Sequence, residues 1–248
     1  MDQIYIPKNR TGLNIGTYVT IKPIQNIKPQ KKFYYYNIDY LEPLKIKTIQ
    51  EITNIIDDYD PQNIIIVGSF LEKGFNFNDV DILIISDKNI NLKQIIFKIE
   101  SQTGIKIHII QISNKTLIKG LSTDPLYSLM LSKCISQKRL IYKIKHKINY
   151  KILDLHLIKS KNLLNNFDIL NGNEKYYLTR NLISITHFLN KNKITKRRLD
   201  EEIEKTFSLK IKDLKQNMIN KEKFLKIYKK LYENTFNQIM KGIKNGSK

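Results

Sequence analysis

Two short apolar runs constrain this chain more than any other feature. Asn63–Val67 (NIIIV) and Val80–Ser86 (VDILIIS) are almost continuous in isoleucine, leucine and valine. Runs of that length without polar alternation read as strands buried on both faces. Such strands need cover on each side, and the flanking chain can supply it. From Glu42 to about Asp57, the residues Leu44, Ile49, Ile52, Ile55 and Ile56 recur at helical spacing, and Asp60-Pro61 ends that helix. A helix is predicted over about Leu92–Ser101 and a third strand over Ile105–Ile112. Thr123 or Asp124 can cap a further helix with Pro125 at its first position. Arg139–Ile144 reads as one more short strand. After about Lys147 the helical period takes over, with helices expected near 149–165, 174–190, 197–206 and 221–243. Upstream, Gly16–Ile24 and Lys32–Ile38 are β-like, with Pro23, Asn26 and Pro29 between them. The expected class is α+β, a mixed β-sheet flanked by helices. An N-terminal β-hairpin element over 1–40, a sheet domain over 41–147 and a helical domain over 148–248 are the expected parts.

Composition narrows the chemistry. A chain of 248 residues can bury a sizeable core without disulfide or metal staples. The single cysteine, Cys134, excludes a disulfide framework and a multi-cysteine zinc ribbon. No apolar run approaches the roughly 20 residues of a membrane span, and Met1-Asp2-Gln3-Ile4 has no basic head. A cytoplasmic protein without a membrane partner is expected. The formal net charge is +20, with +8 in the first 147 residues and +12 in the rest. That points to a polyanion such as RNA, bound through the basic helical region. The chain also holds 44 Ile, 38 Lys, 5 Arg and no Ala. An A/T-rich coding sequence imposes such a skew, and the scarcity of Arg argues against a dedicated bidentate phosphate reader.

The chemistry concentrates in Val67–Ile85 (VGSFLEKGFNFNDVDILII). Gly68-Ser69 follows one buried strand directly; after nine intervening residues Asp79-Val80-Asp81 enters the next. Side chains alternate along a strand, so Asp79 and Asp81 share a face and Val80 points away. Adjacent carboxylates repel unless a cation lies between them, and all-oxygen ligation favours Mg²⁺ or Mn²⁺. Gly68 permits close backbone approach, and Ser69 can donate to a phosphate at the start of a helix. Together these pieces form a metal–triphosphate site, with Lys73 near enough in sequence to assist.

At Val67, Gly68, Ser69, Asp79, Val80, Asp81 and Ile82 the chain resembles the polymerase-β-like nucleotidyltransferase superfamily, whose signature is hydrophobic-Gly-[Gly/Ser], a short spacer, then Asp-hydrophobic-[Asp/Glu]-hydrophobic. The resemblance is to the minimal nucleotidyltransferases, archaeal-looking ones with a helical tail, and covers roughly residues 45–145. It implies a nucleotidyltransferase-type sheet, an NTP substrate, Mg²⁺ (or Mn²⁺) on Asp79 and Asp81, and a triphosphate held at Gly68 and Ser69. The implied reaction transfers a nucleoside monophosphate to an acceptor hydroxyl on RNA, protein or a small molecule. The alternative is a non-catalytic nucleotide- or RNA-binding module that retains the fold. One position departs from the pattern: His108 stands where the third carboxylate is expected. It can act as a base, bind a softer metal, or simply pack at the sheet edge.

A weaker constellation lies further on. Arg180 and His187 are seven residues apart, two helical turns, and Asn181 follows the arginine. This loosely resembles the Arg-Asn…His signature of helical ribonuclease domains; an ordinary surface Arg and a partly buried His are the expectation. His146 and His156 have no metal-ligand spacing. Lys138–Lys151, with Tyr142 and Tyr150, and the run Lys196-Arg197-Arg198 could follow a nucleic-acid backbone, or be plain solvated faces.

Overall fold

The computed structural model describes Tyr18 and residues 32–246. Apart from Tyr18, the β-like run Gly16–Ile24, and with it the first strand of the expected hairpin, lies outside the described residues. The elements are β1 (Tyr34–Tyr36), α1 (Pro43–Asp57), β2 (Asn63–Val67), β3 (Val80–Ile85), α2 (Leu92–Thr103), β4 (Ile107–Ile112), α3 (Asn114–Thr123), α4 (Pro125–Leu131) and β5 (Cys134–Ser136). There follow α5 (Tyr150–Asn165), α6 (Gly172–Leu189), α7 (Lys196–Phe207), α8 (Ile211–Lys215) and α9 (Lys221–Gly246).

The sheet order is β1-β5-β2-β3-β4. Among the described residues only the β3–β4 pair is parallel, with α2 as its crossover; the other pairs are antiparallel. The fold is therefore α+β, a mixed five-stranded sheet followed by a helical region. Alternation along the strands divides their isoleucines between two cores. Ile64, Ile66, Ile82 and Ile84 pack with Ile49, Ile52 and Ile56 of α1 and Ile95 and Ile99 of α2. On the opposite face Ile65, Val67, Leu83 and Ile85 pack with Leu117 and Leu121 of α3. Complete burial of each such side chain contributes about 2–3 kcal/mol, so cover on both faces decides that these runs become central strands. Local signals set the helix ends. Asn91 caps α2, which Gly104 ends in the left-handed conformation at φ 68°. Asp124 caps α4, with Pro125 first in the helix.

A third core fills the helical region, where Leu157, Tyr176, Ile185, Leu199 and Tyr228 are buried together. Leu129 of α4 joins it, tying the helix before β5 to the bundle. Among the described residues no helix is long and apolar enough to cross a membrane.

Three expectations are corrected. Arg139–Ile144 has no regular structure, and the last strand is β5, which adds to the edge of β2 and receives β1. Helices α3 and α8 were not predicted. Leu44 is 62% exposed, while its neighbour Lys45 is 1% exposed and occupies the inner face of α1.

Candidate active site

Sheet register builds the site. Val67, the last residue of β2, pairs with Asp81 of β3, and Asp81 pairs with His108 of β4. The chain leaves β2 through Gly68 at φ 86°, ψ −163°, a region essentially restricted to glycine. A Cβ at Gly68 would lie 2.2 Å from Asp81 Oδ2. Glycine is thus favoured by the backbone angle, and any side chain here would push the Asp81 carboxylate aside.

The turn after Gly68 is a 3-10 turn over Ser69–Leu71, anchored by buried Phe70 and Leu71. It is not the start of an α-helix, which corrects the expected helix-terminus contribution at Ser69. Lys45 holds the loop that follows. Its Nζ donates to the Glu72 carbonyl at 2.6 Å and to the Gly74 carbonyl, and pairs with Glu42 at 3.2 Å. The ammonium also stands 5.4–5.6 Å from the ring centres of Phe70, Phe75 and Phe77. Sequence reasoning missed Lys45. The available signal was its place four residues before Ile49, on the apolar face of α1.

Asp79 lies one residue before β3 and Asp81 second in it; both are half-buried. His108 is exposed and its Nδ1 lies 3.1 Å from Asp81 Oδ1. The structure brings Asp81 and His108 into contact and sets Gly68, Ser69, Lys73 and Asp79 in the same cleft of about 1240 Å³. Among the described residues no group of three or more His, Cys, Asp or Glu side chains is gathered to hold a metal. The donor set, two half-exposed carboxylates open to the cleft, suits a hard cation that keeps several of its waters rather than one held in a closed protein cage. An imidazole beside Asp81 adds a softer donor.

The helical region forms the other wall. Glu72, beside the glycine turn, pairs with Lys133 at 3.1 Å and with Lys196 at the start of α7. Burial works to raise the Glu72 pKa, but these two ammonium groups hold it below the ordinary carboxylate value. Tyr176, Tyr177, Arg180 and Asn181 of α6 and Lys215 of α8 line the same cleft. Arg180 is therefore not an ordinary surface arginine. His187 does not line the cleft; it is buried, with Nε2 bonded to Glu202. The two residues do not meet as a ribonuclease pair in this cleft. His156 bonds the α4 cap Asp124 at 3.0 Å, and His146 packs edge-on against Phe188. Of the basic run, Arg197 and Arg198 are exposed, Arg197 pairing with Glu201 at 2.9 Å.

Residues 46–146 match the nucleotidyltransferase domain family. No curated protein matches the chain. The matched span begins in α1 and contains β2, β3, β4 and the whole Gly68–Asp81 turn. Residues 46–146 are a nucleotidyltransferase domain of the polymerase-β-like minimal type, followed in this chain by a helical C-terminal region.

Proposed function

We propose that the protein transfers a nucleoside monophosphate from an NTP to an acceptor hydroxyl and releases pyrophosphate. The observation that carries this reading is the mutual fit of Gly68 and Asp81 at the head of the cleft, with Asp79 two residues away. Asp79 and Asp81 would hold the divalent cation. A bound Mg²⁺ or Mn²⁺ supplies positive charge to the phosphates and to the leaving oxygen. Gly68 leaves room for the triphosphate beside the backbone, and the Ser69 hydroxyl and Lys73 ammonium donate to its oxygens. As the acceptor oxygen bonds to the α-phosphorus, its proton passes to solvent water. The bond from that phosphorus to the bridging oxygen breaks, and pyrophosphate leaves. His108 braces Asp81 through the 3.1 Å contact.

The cleft exceeds the roughly 1,000 Å³ upper end of small-ligand pockets. It has room for a nucleotide and the end of a polymer, and the positive helical region favours an RNA acceptor. The same reading takes 41–147 as the catalytic domain and 148–248 as the acceptor-shaping one. His108, in place of a third carboxylate, favours the second reading, a nucleotide- or RNA-binding module without transfer.

The test incubates the protein with each α-labelled NTP in Mg²⁺ or Mn²⁺, with and without total RNA. Label on RNA or on protein supports transfer and identifies the acceptor. Label on no acceptor under any condition, with NTP still bound, establishes the binding module.

A further inference from the structure

Arg180 and Lys215 face the cleft from two different helices, and neither takes part in an ion pair among the described residues. Arg180 Nε is buried without a hydrogen-bond partner, and the guanidinium lies 5.3 Å from the Tyr176 ring centre and 4.9 Å from that of Tyr177. Lys215 is half-buried, its Nζ 4.4 Å from the centre of the same Tyr176 ring. Burial lowers the Lys215 pKa, and Lys196 adds to that effect. The carboxylate acting electrostatically on both is Asp200, which accepts the Tyr176 hydroxyl at 2.7 Å and whose own pKa burial raises. Of the other ammonium groups on this wall, Lys133 and Lys196 are paired with Glu72, and Lys212 of α8 is exposed to solvent. Glu72 also acts on Lys215 at longer range, but neither carboxylate forms an ion pair with Arg180 or Lys215 among the described residues, and burial of a charge without a direct partner is costly.

Backbone packing joins the two helices that carry this pair. A Cβ at Gly172, the first residue of α6, would lie 2.1 Å from the Lys215 carbonyl oxygen and 2.6 Å from that of Leu214. The end of α8 is thus pressed against the start of α6, the helix that carries Arg180. Lys175, also on α6 and 2% exposed, donates to Asn217 Oδ1 just beyond α8. Such packing holds the two helices that carry these cations together before any ligand arrives, which limits the ordering cost of binding.

We propose that Arg180 and Lys215 form an anion subsite for phosphate oxygens on the helical wall, in the same cleft as Asp79 and Asp81. The proposal rests on the nucleotidyltransferase reading only for the source of the phosphate, which is either the terminal phosphates of the NTP or the backbone of an RNA acceptor. Both residues lie outside the 46–146 domain match, so this subsite belongs to the helical region of this chain. It also gives Arg180 a role without His187.

The test titrates the full-length protein, by calorimetry in Mg²⁺, with inorganic tripolyphosphate and separately with a single-stranded oligoribonucleotide. Arg180→Gln and Lys215→Gln should each weaken the polyanion seated there by about tenfold, the effect of removing a charge-assisted hydrogen bond. Lys226→Gln serves as the surface control. Weakened tripolyphosphate binding with unchanged oligonucleotide binding assigns the subsite to the NTP; the reverse assigns it to the acceptor. A second measurement needs no variant. Acylation of surface amines, followed by mass spectrometry, should show Lys215 protected by the bound polyanion and Lys226 unprotected. Wild-type protein that binds neither polyanion overturns the subsite, as do folded variants that bind both like wild type. Loss of nucleotide transfer in Asp81→Ala with Lys215 protection intact separates this inference from the fate of the metal site.

Discussion

Substitution of Gly68 by alanine tests how the glycine turn and the carboxylate depend on one another. At φ 86°, ψ −163°, a residue with a Cβ incurs about 1–3 kcal/mol of backbone strain. The new methyl would stand 2.2 Å from Asp81 Oδ2, 3.1 Å from its Cγ and 3.3 Å from its Cβ. The carboxylate is half-exposed and can rotate away, but rotation breaks its 3.1 Å contact with His108. Gly68→Ala should therefore lose about 1–3 kcal/mol of stability and lower transfer by about 100-fold, as expected for a reacting group misplaced by an ångström. The two effects separate in a double-mutant cycle. Asp81→Ala removes Oδ2 and Cγ, so Gly68→Ala in that background should show the backbone strain and only the remaining 3.3 Å contact with Cβ of residue 81. A coupling of about 1 kcal/mol is expected between the two sites. Guanidinium denaturation of the four proteins measures it. A Gly68→Ala protein as stable as wild type, or a coupling of zero, refutes the steric argument.

His108→Asp would set a carboxylate against Asp81 and should raise Mg²⁺-supported transfer relative to Mn²⁺; the thermal midpoint should rise on Mg²⁺ addition by about 3 °C more than in wild type. Lys45→Met leaves the Glu72 and Gly74 carbonyls without their donor and should destabilise the fold by on the order of 3 kcal/mol, read by denaturation. Glu72 is held below its ordinary value of 4.5 by Lys196 and Lys133 against the opposing effect of burial. A lowered folded-state pKa contributes stability above the unfolded value and loses it as pH falls through the folded one. Stability should thus decline below about pH 4.5, and Glu72→Gln should flatten that decline in denaturation midpoints measured between about pH 3 and 6.

Much of the sheet was legible because continuous apolar runs and glycine-bounded turns are local signals. Asn63–Val67 is β2 without adjustment, and Asp124-Pro125 starts α4. Alternation misled at Arg139–Ile144. Leu140, Tyr142 and Ile144 do pack onto the sheet, but alternation reports one-sided burial and not a ladder partner. The strand neighbour of β2 is instead three residues, Cys134–Ser136, whose pairing depends on the placement of α4 and β1. Helix α3 was missed because Gly120 and three polar β-branched or small residues dilute its period. That glycine is required where a Cβ would lie 2.7 Å from the Tyr127 ring. In the site, Gly68, Asp79 and Asp81 could be read from spacing, since β2 and β3 are antiparallel neighbours with Val67 opposite Asp81. The cleft-facing positions of Arg180 and Lys215 could not. Their roles depend on which side of a helix faces a cleft formed by distant parts of the chain.

The central claim is nucleotidyl transfer through Asp79 and Asp81. The most direct test supplies the protein with one NTP labelled either at the α- or at the γ-phosphorus, in Mg²⁺ or Mn²⁺ with RNA present, and follows both labels in wild type, Asp79→Ala and Asp81→Ala. The α label should enter the acceptor and the γ label should leave as pyrophosphate, with both outcomes lost in the two folded variants. Transfer of the γ label to the acceptor, or wild-type α transfer by either variant, would contradict the account.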